Sequence, residues 1–163
     1  MAYRDGPRGI GGWLVFFLMT VGVFAPLRIL FTAYGLFSDP QVAAAYGDRW
    51  PLLATTEVIL IALNLAALAF LVWRFFMHRT WQSVRIGIAG IWLIPIAVTI
   101  LETLAVTLIG GVSAAALLTQ MSPDLAQMLI YSTVWTAYLL RSVRVANTYP
   151  RENEEEELTE VFE

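Results

Sequence analysis

Long apolar runs constrain this chain more than any other feature. Residues 10–37, 52–77 and 86–109 are almost wholly apolar. At about 1.5 Å per residue each could cross the roughly 30 Å hydrocarbon core of a bilayer. A fourth run, 125–145, is weaker. Its apolar part is about 16 residues, or roughly 24 Å, and Arg141 and Arg144 extend it by snorkelling at one end. Water is absent from the hydrocarbon, so backbone N–H and C=O groups must pair within the protein. For runs of this length the solution is a helix. The sequence therefore predicts an all-α, polytopic membrane protein, a four-transmembrane-helix bundle. One membrane domain spans residues 10–150, between a cytoplasmic lead (1–9) and an acidic, disordered cytoplasmic tail (151–163).

Composition narrows the chemistry. Hydrophobic residues make up 58% of the 163 and charged residues only 14%, against about 25% charged in a typical soluble domain. Cys is absent, which excludes disulfides, thiolate metal sites and iron–sulfur clusters. A single His, His78, excludes a multi-His metal or haem site within one chain. No P-loop, dinucleotide-binding fingerprint, HExxH or GxSxG occurs. The expectation is no catalytic residue, no metal and no cofactor.

The net charge of −3 hides an uneven distribution. Seven of the 13 acidic residues (Glu152, Glu154, Glu155, Glu156, Glu157, Glu160 and Glu163) lie in the tail. Every basic residue is Arg, and these set the orientation. Arg4 and Arg8, then Arg74, Arg79 and Arg85, then Arg141, Arg144 and Arg151 fall on one side of four spans. The two opposite connections hold only Arg49. The positive-inside rule puts both termini in the cytoplasm. The first run is too long for a cleaved secretory signal and is read as a retained span.

Local signals refine the picture. Pro26 should kink the first span. Ser38, Asp39 and Pro40 suit a cap and first turn. Residues 78–85 read as a short basic loop. Pro95 falls in the third span. Ser122, Pro123 and Asp124 read as N-cap, N1 and N2 of the fourth helix. Gly87 and Gly90 suit close helix contact, and Asn64 suits interhelical hydrogen bonding. Thr99, Thr103 and Thr107 form a packing stripe.

Three ionisable residues fall within spans: Arg28, Glu57 and Glu102. Counting residues from each entry point places all three in the outer third of the bilayer, with Tyr131 at comparable depth. The expected arrangement pairs Arg28 with Glu57, Glu102 or both, with Tyr131 as a hydrogen-bond partner. Three roles stay open: a register-fixing ion pair, a polar site for a proton, cation or headgroup, and simple exposure at a thinned outer interface.

Two stretches carry a family resemblance. Gly11-Gly12-Trp13-Leu14 resembles the GGWL that opens the bacterial DUF2569 membrane proteins. Residues 135–149 (WTAYLLRSVRVANTY) resemble that family's closing pattern, through Tyr138, Ser142, Arg144, Val145, Thr148 and Tyr149. Ala146 stands where Lys is usual, and Tyr149 where Phe is usual. The resemblance covers residues 9–150. It implies a four-helix inner-membrane protein with cytoplasmic termini, and no activity. Both motifs then fall on the cytoplasmic face, where Trp13 is expected near Tyr138 and Arg144.

Small size, short loops and the lack of a catalytic constellation favour a non-enzymatic accessory or interaction subunit of a larger complex in the bacterial inner membrane. The alternative is a small transporter, or a lipid- or ion-binding protein using the Arg/Glu cluster. Expected partners are membrane lipids and other integral membrane subunits or further copies of the chain, not nucleic acid.

Overall fold

The fold comes from a computed structural model, which describes residues 6–151. The acidic tail from Glu152 onward, read from the sequence as disordered, lies outside the described residues, as do residues 1–5. The described residues are helical and joined by short connections, with no strand among them. Three stretches are long and apolar enough to cross a membrane: Trp13–Ser38, Pro40–Met77 and Trp81–Leu108.

The first stretch is not a uniform helix. α1 (Trp13–Met19) passes into a π-helical turn, Thr20–Phe24, before α2 (Ala25–Ser38). Pro26 has no N–H to give to the carbonyl four residues back. The helix widens just upstream of it, and the Ala25 N–H reaches the Thr20 carbonyl, an i→i+5 bond. The irregularity expected at Pro26 is thus a π turn. Thr20 donates its hydroxyl proton to the Phe17 carbonyl at 2.7 Å. With that proton used, Thr20 accepts from the Tyr131 hydroxyl, also at 2.7 Å.

Asp39 accepts from the Gln41 N–H and caps α3 (Pro40–Tyr46), with Pro40 in the first turn. A 3₁₀ turn, Gly47–Arg49, leads into α4 (Trp50–Met77). Only three residues separate α4 from α5 (Trp81–Leu108). The helix therefore begins inside the segment read as a loop to Arg85. Buried Ser83 donates back to the His78 carbonyl and tightens this turn.

Glycines let α4 and α5 approach. A Cβ on Gly87 would lie 2.4 Å from the Phe75 ring, and one on Gly90 would lie 2.6 Å from a Leu71 methyl. Gly22 of the π turn faces Val72 in the same way. The buried cluster is built from Leu14, Phe17, Leu18 and Val21 of the first helix, Leu71 and Phe75 of α4, and Val84 and Ile91 of α5, with Trp135 and Leu139. These residues gather towards the end of the molecule where residues 9–12 and 142–151 lie. α2 buries no residue.

A short helix, α6 (Ala114–Gln120), precedes α7 (Ser122–Arg141). Ser122 is the first residue of α7 rather than its cap. Its hydroxyl turns back to the Thr119 carbonyl, and Met121 takes the cap position. α7 packs on α5 but is not among the three stretches above. It stops at Ser142, short of the expected end at 145, and Ser142 starts the separate helix α8 (Val143–Thr148).

Pro95 explains how α5 and α7 join. As a proline it cannot donate to the Ile91 carbonyl one turn earlier. The Ser132 hydroxyl, fully buried, donates to that carbonyl at 2.8 Å. One residue further on, the Trp92 indole N–H donates to Thr136 at 3.0 Å. A double-mutant cycle tests this stitch. Ser132→Ala should lower stability by about 1 kcal/mol, within the range for hydrogen bonds between membrane helices. In a Pro95→Ala background, where the backbone N–H returns, the same change should cost clearly less. Equal costs in the two backgrounds, read from detergent melts, would reject the assignment.

Candidate functional site

The four polar residues expected within the spans do not form one cluster in the structure. Glu57 on α4 is buried, at 8% exposure. Glu102 on α5 is half-buried and within electrostatic reach of Glu57. Arg28 on α2 is exposed, and no ion pair joins it to either carboxylate among the described residues. Tyr131 bonds to Thr20 at the π turn, not to the acids. The expected pairing of Arg28 with Glu57 or Glu102 is therefore corrected: among the described residues Arg28 is exposed and unpaired with either acid, and Glu102 lies within electrostatic reach of Glu57 instead.

The π turn is the physical cause. Leu14, Phe17, Leu18 and Val21 define the inward face of α1. An unbroken α-helix turns about 100° per residue, which would bring Arg28 back onto that face. The π turn adds one residue to a turn and rotates everything after it by about 100°. Ile29, Ala33 and Leu36 become the half-buried stripe instead, and Arg28 points out.

At the opposite end residues 9–12 and 142–151 form a latch. The Gly9 N–H donates to the Thr148 hydroxyl at 3.0 Å, and Thr148 donates to the Arg144 carbonyl at 2.6 Å. The Arg144 side chain lies over Gly11 and Gly12; a Cβ on Gly11 would be 2.5 Å from its Nη1. Gly12 has φ 55° and ψ −134°, a conformation essentially confined to glycine. Ser142 accepts from the Val145 N–H and caps α8. Val145 and Tyr149 are fully buried. The structure thus brings Gly11 and Gly12 to Arg144, although they lie far apart in sequence.

Tyr149 holds the latch to the rest of the protein, a role the sequence reading did not give it. Its ring meets Phe75 edge-on at 5.4 Å, and its hydroxyl donates to the Phe75 carbonyl at 2.9 Å. That carbonyl is in the last turn of α4, where carbonyls lack helical partners. The available signal was the departure from the Phe pattern at this position: a buried hydroxyl needs an acceptor. The Trp81 N–H donates to the Pro150 carbonyl at 3.2 Å, and the Arg151 guanidinium sits 4.5 Å above the Trp81 ring.

Between α1 and α7 the backbones stand apart and aromatic rings bridge them. Trp135 meets Phe17 at 5.1 Å and Phe16 at 5.9 Å. Outside these contacts lies an open apolar groove of about 530 Å³, lined by Trp13, Phe16, Ile130, Tyr131, Trp135 and Tyr138 among others. Trp13 and Tyr138 both line this groove. No group of three or more acidic or His side chains suited to a metal occurs among the described residues.

The model of a family described as "Protein of unknown function (DUF2569)" matches residues 7–150. No curated protein and no solved structure matches the chain.

The latch has a pH signature. Burial pushes the Tyr149 hydroxyl up from 10.0 to about 12, against a smaller pull downward from Arg79. Because the folded state holds the proton more tightly, this contribution is complete below about pH 10. It is lost as pH rises towards about 12. Tyr149→Phe should keep the packing, lose about 1 kcal/mol from the missing bond to Phe75, and flatten the decline in melting temperature above pH 10. An unchanged alkaline decline would show that Tyr149 is not its source.

Proposed function

The chain belongs to the DUF2569 family, and from that premise we propose that it is a four-span protein of the bacterial inner membrane. Both termini are cytoplasmic, and the protein acts as a non-enzymatic accessory or interaction subunit of a larger membrane assembly. α7 supplies the fourth span, since its 20 residues reach about 30 Å. Orientation is supported by charge. Arg74, Arg79, Arg85, Arg141, Arg144 and Arg151 gather at the latch end, whereas Arg49 lies at the other.

One observation carries the interaction role: the outward-facing Arg28. It sits about 15 residues into the first span, flanked by exposed Leu27, Phe31 and Tyr34. Exposed apolar side chains are ordinary against lipid, but an arginine within the span is costly, up to about 2.5–3.5 kcal/mol at the helix centre on insertion scales. Among the described residues no carboxylate pairs with it. An acidic or carbonyl-rich segment of a neighbouring membrane helix would satisfy it and would fix the register of that neighbour.

A second reading is favoured by Glu57 and Glu102. Two carboxyl groups within electrostatic reach, one of them buried, with no ion pair to a cation among the described residues, suit the binding of a proton or small cation. This would be the chemistry of a small transporter.

Arg28→Leu separates the two. On the subunit reading, the purified variant melts no lower than the parent in mild detergent, because no internal ion pair is lost. A protein partner recovered with the parent at fixed stoichiometry in native mass spectrometry is depleted. A lone parent chain, with cation-dependent stabilisation that Glu57→Gln abolishes, would replace the subunit reading with the second. A strong loss of stability in Arg28→Leu would show that Arg28 works inside its own chain.

A further inference from the structure

We propose that the groove between α1 and α7 is a binding site for one anionic phospholipid, with an acyl chain along the aromatic wall and the phosphate on Arg144 and Arg141. The groove is apolar and open on its outer side, where Ile130 and Val134 of α7 and Trp13 and Phe16 of α1 are exposed. It runs along α7 from Gln127 to Tyr138, about 16 Å of helix. That is about half of a 30 Å hydrocarbon core, the depth of a single leaflet. A transmembrane helix from another protein would need the full depth.

The polar end fits a phosphate. Ile130, Val134, Tyr138 and Arg141 follow one another at i, i+4, i+8 and i+11, so Arg141 continues the groove-facing stripe of α7. The Arg144 side chain lies over Gly11 and Gly12, next to Trp13 at the groove's end. Neither guanidinium makes a hydrogen bond or ion pair among the described residues. Arg144 is half-buried, so its charge is partly withdrawn from solvent and has reason to take an anion. Two forked guanidinium groups suit a phosphate better than a zwitterionic headgroup, whose own ammonium would be brought against them. Trp13 and Tyr138, each apolar with a polar tip, suit the boundary between chain and headgroup.

The site rests on the chain lying in a bilayer. It does not rest on the subunit role, because Arg28 is at the opposite end of the first helix and would engage a partner there.

The test uses full-length protein, delipidated in mild detergent and offered equimolar phosphatidylglycerol and phosphatidylcholine with identical acyl chains. Native mass spectrometry counts the retained lipids. One phosphatidylglycerol per chain, favoured at least threefold, is expected. Arg141→Gln, whose exposed side chain lies outside the latch, should bring the ratio towards one, and adding Arg144→Gln should complete the loss. Ile130→Trp, at an exposed position, should fill the groove and reduce retention of both lipids. If Arg144→Gln melts early because Arg144 also packs on the glycines, Arg141→Gln and Ile130→Trp carry the test alone. The proposal is overturned by equal retention of the two lipids, by a preference that survives Arg141→Gln, or by lipid retained in Ile130→Trp. Full competition from glycerol phosphate alone would also overturn it, since the acyl chain would then contribute nothing. So would a protein segment occupying the groove.

Discussion

Every backbone carbonyl freed inside a membrane helix has to find a donor within the protein, and two prolines make that demand here. Pro95 frees the Ile91 carbonyl, and the buried Ser132 hydroxyl answers it from α7. A lesion in one helix thereby becomes the join between two. Pro26 is handled differently: the chain upstream widens into the π turn, and the Ala25 N–H reaches back to Thr20. Thr20 then holds Tyr131, so this second irregularity also ties to α7. α7 is the least apolar of the long helices, so apolar burial alone holds it weakly. Its place depends on these side-chain hydrogen bonds, on Trp92 to Thr136, and on the rings around Trp135.

The latch end is closed by the same principle. The last carbonyls of α4 need partners, and Tyr149 supplies one. Residues 6–9 have no regular structure, and Thr148 receives the Gly9 N–H. Glycine is required where Arg144 presses on the lead and where Gly12 turns into α1. The residues that resemble a family signature at the two chain ends are therefore parts of one contact. Trp13 is an exception: it is 67% exposed and belongs to the groove.

Much of this was legible beforehand, and the reason is one-dimensional geometry. Apolar length gives a helix its extent, Asp39-Pro40 gives a cap, and Gly87 and Gly90 mark a close approach because no other residue permits one. Depth in the bilayer follows from counting, so Glu57 and Glu102 could be placed at similar levels. Azimuth does not follow from counting when the helix is irregular. The reading of Arg28 failed on that point alone, since a regular repeat would have brought it inward. Proline announces a break but not its form: a kink would have kept the phase, and a π turn does not. The bond from Tyr149 to Phe75 was hidden for another reason, because it joins residues 74 positions apart whose pairing no local pattern encodes.

The π turn also decides which charges face inward at the end away from the latch. In an unbroken helix Arg28 would face the bundle, where Glu57 and Glu102 could neutralise it at the cost of desolvating all three. One added residue in the turn moves the cation outward and leaves the acids with each other. On the proposed readings, an anion or carbonyl group would meet Arg28 and a proton or cation would meet the carboxyl pair. α2 buries nothing that would hold its outward face in place. The tight core lies at the other end, around Phe17, Phe75 and Tyr149. Stability is thus concentrated at the latch, and the unbalanced charges sit where the packing is thinnest. A neighbour binding at Arg28 would meet the part of the fold with the least internal resistance to adjustment, while the latch stays as it is.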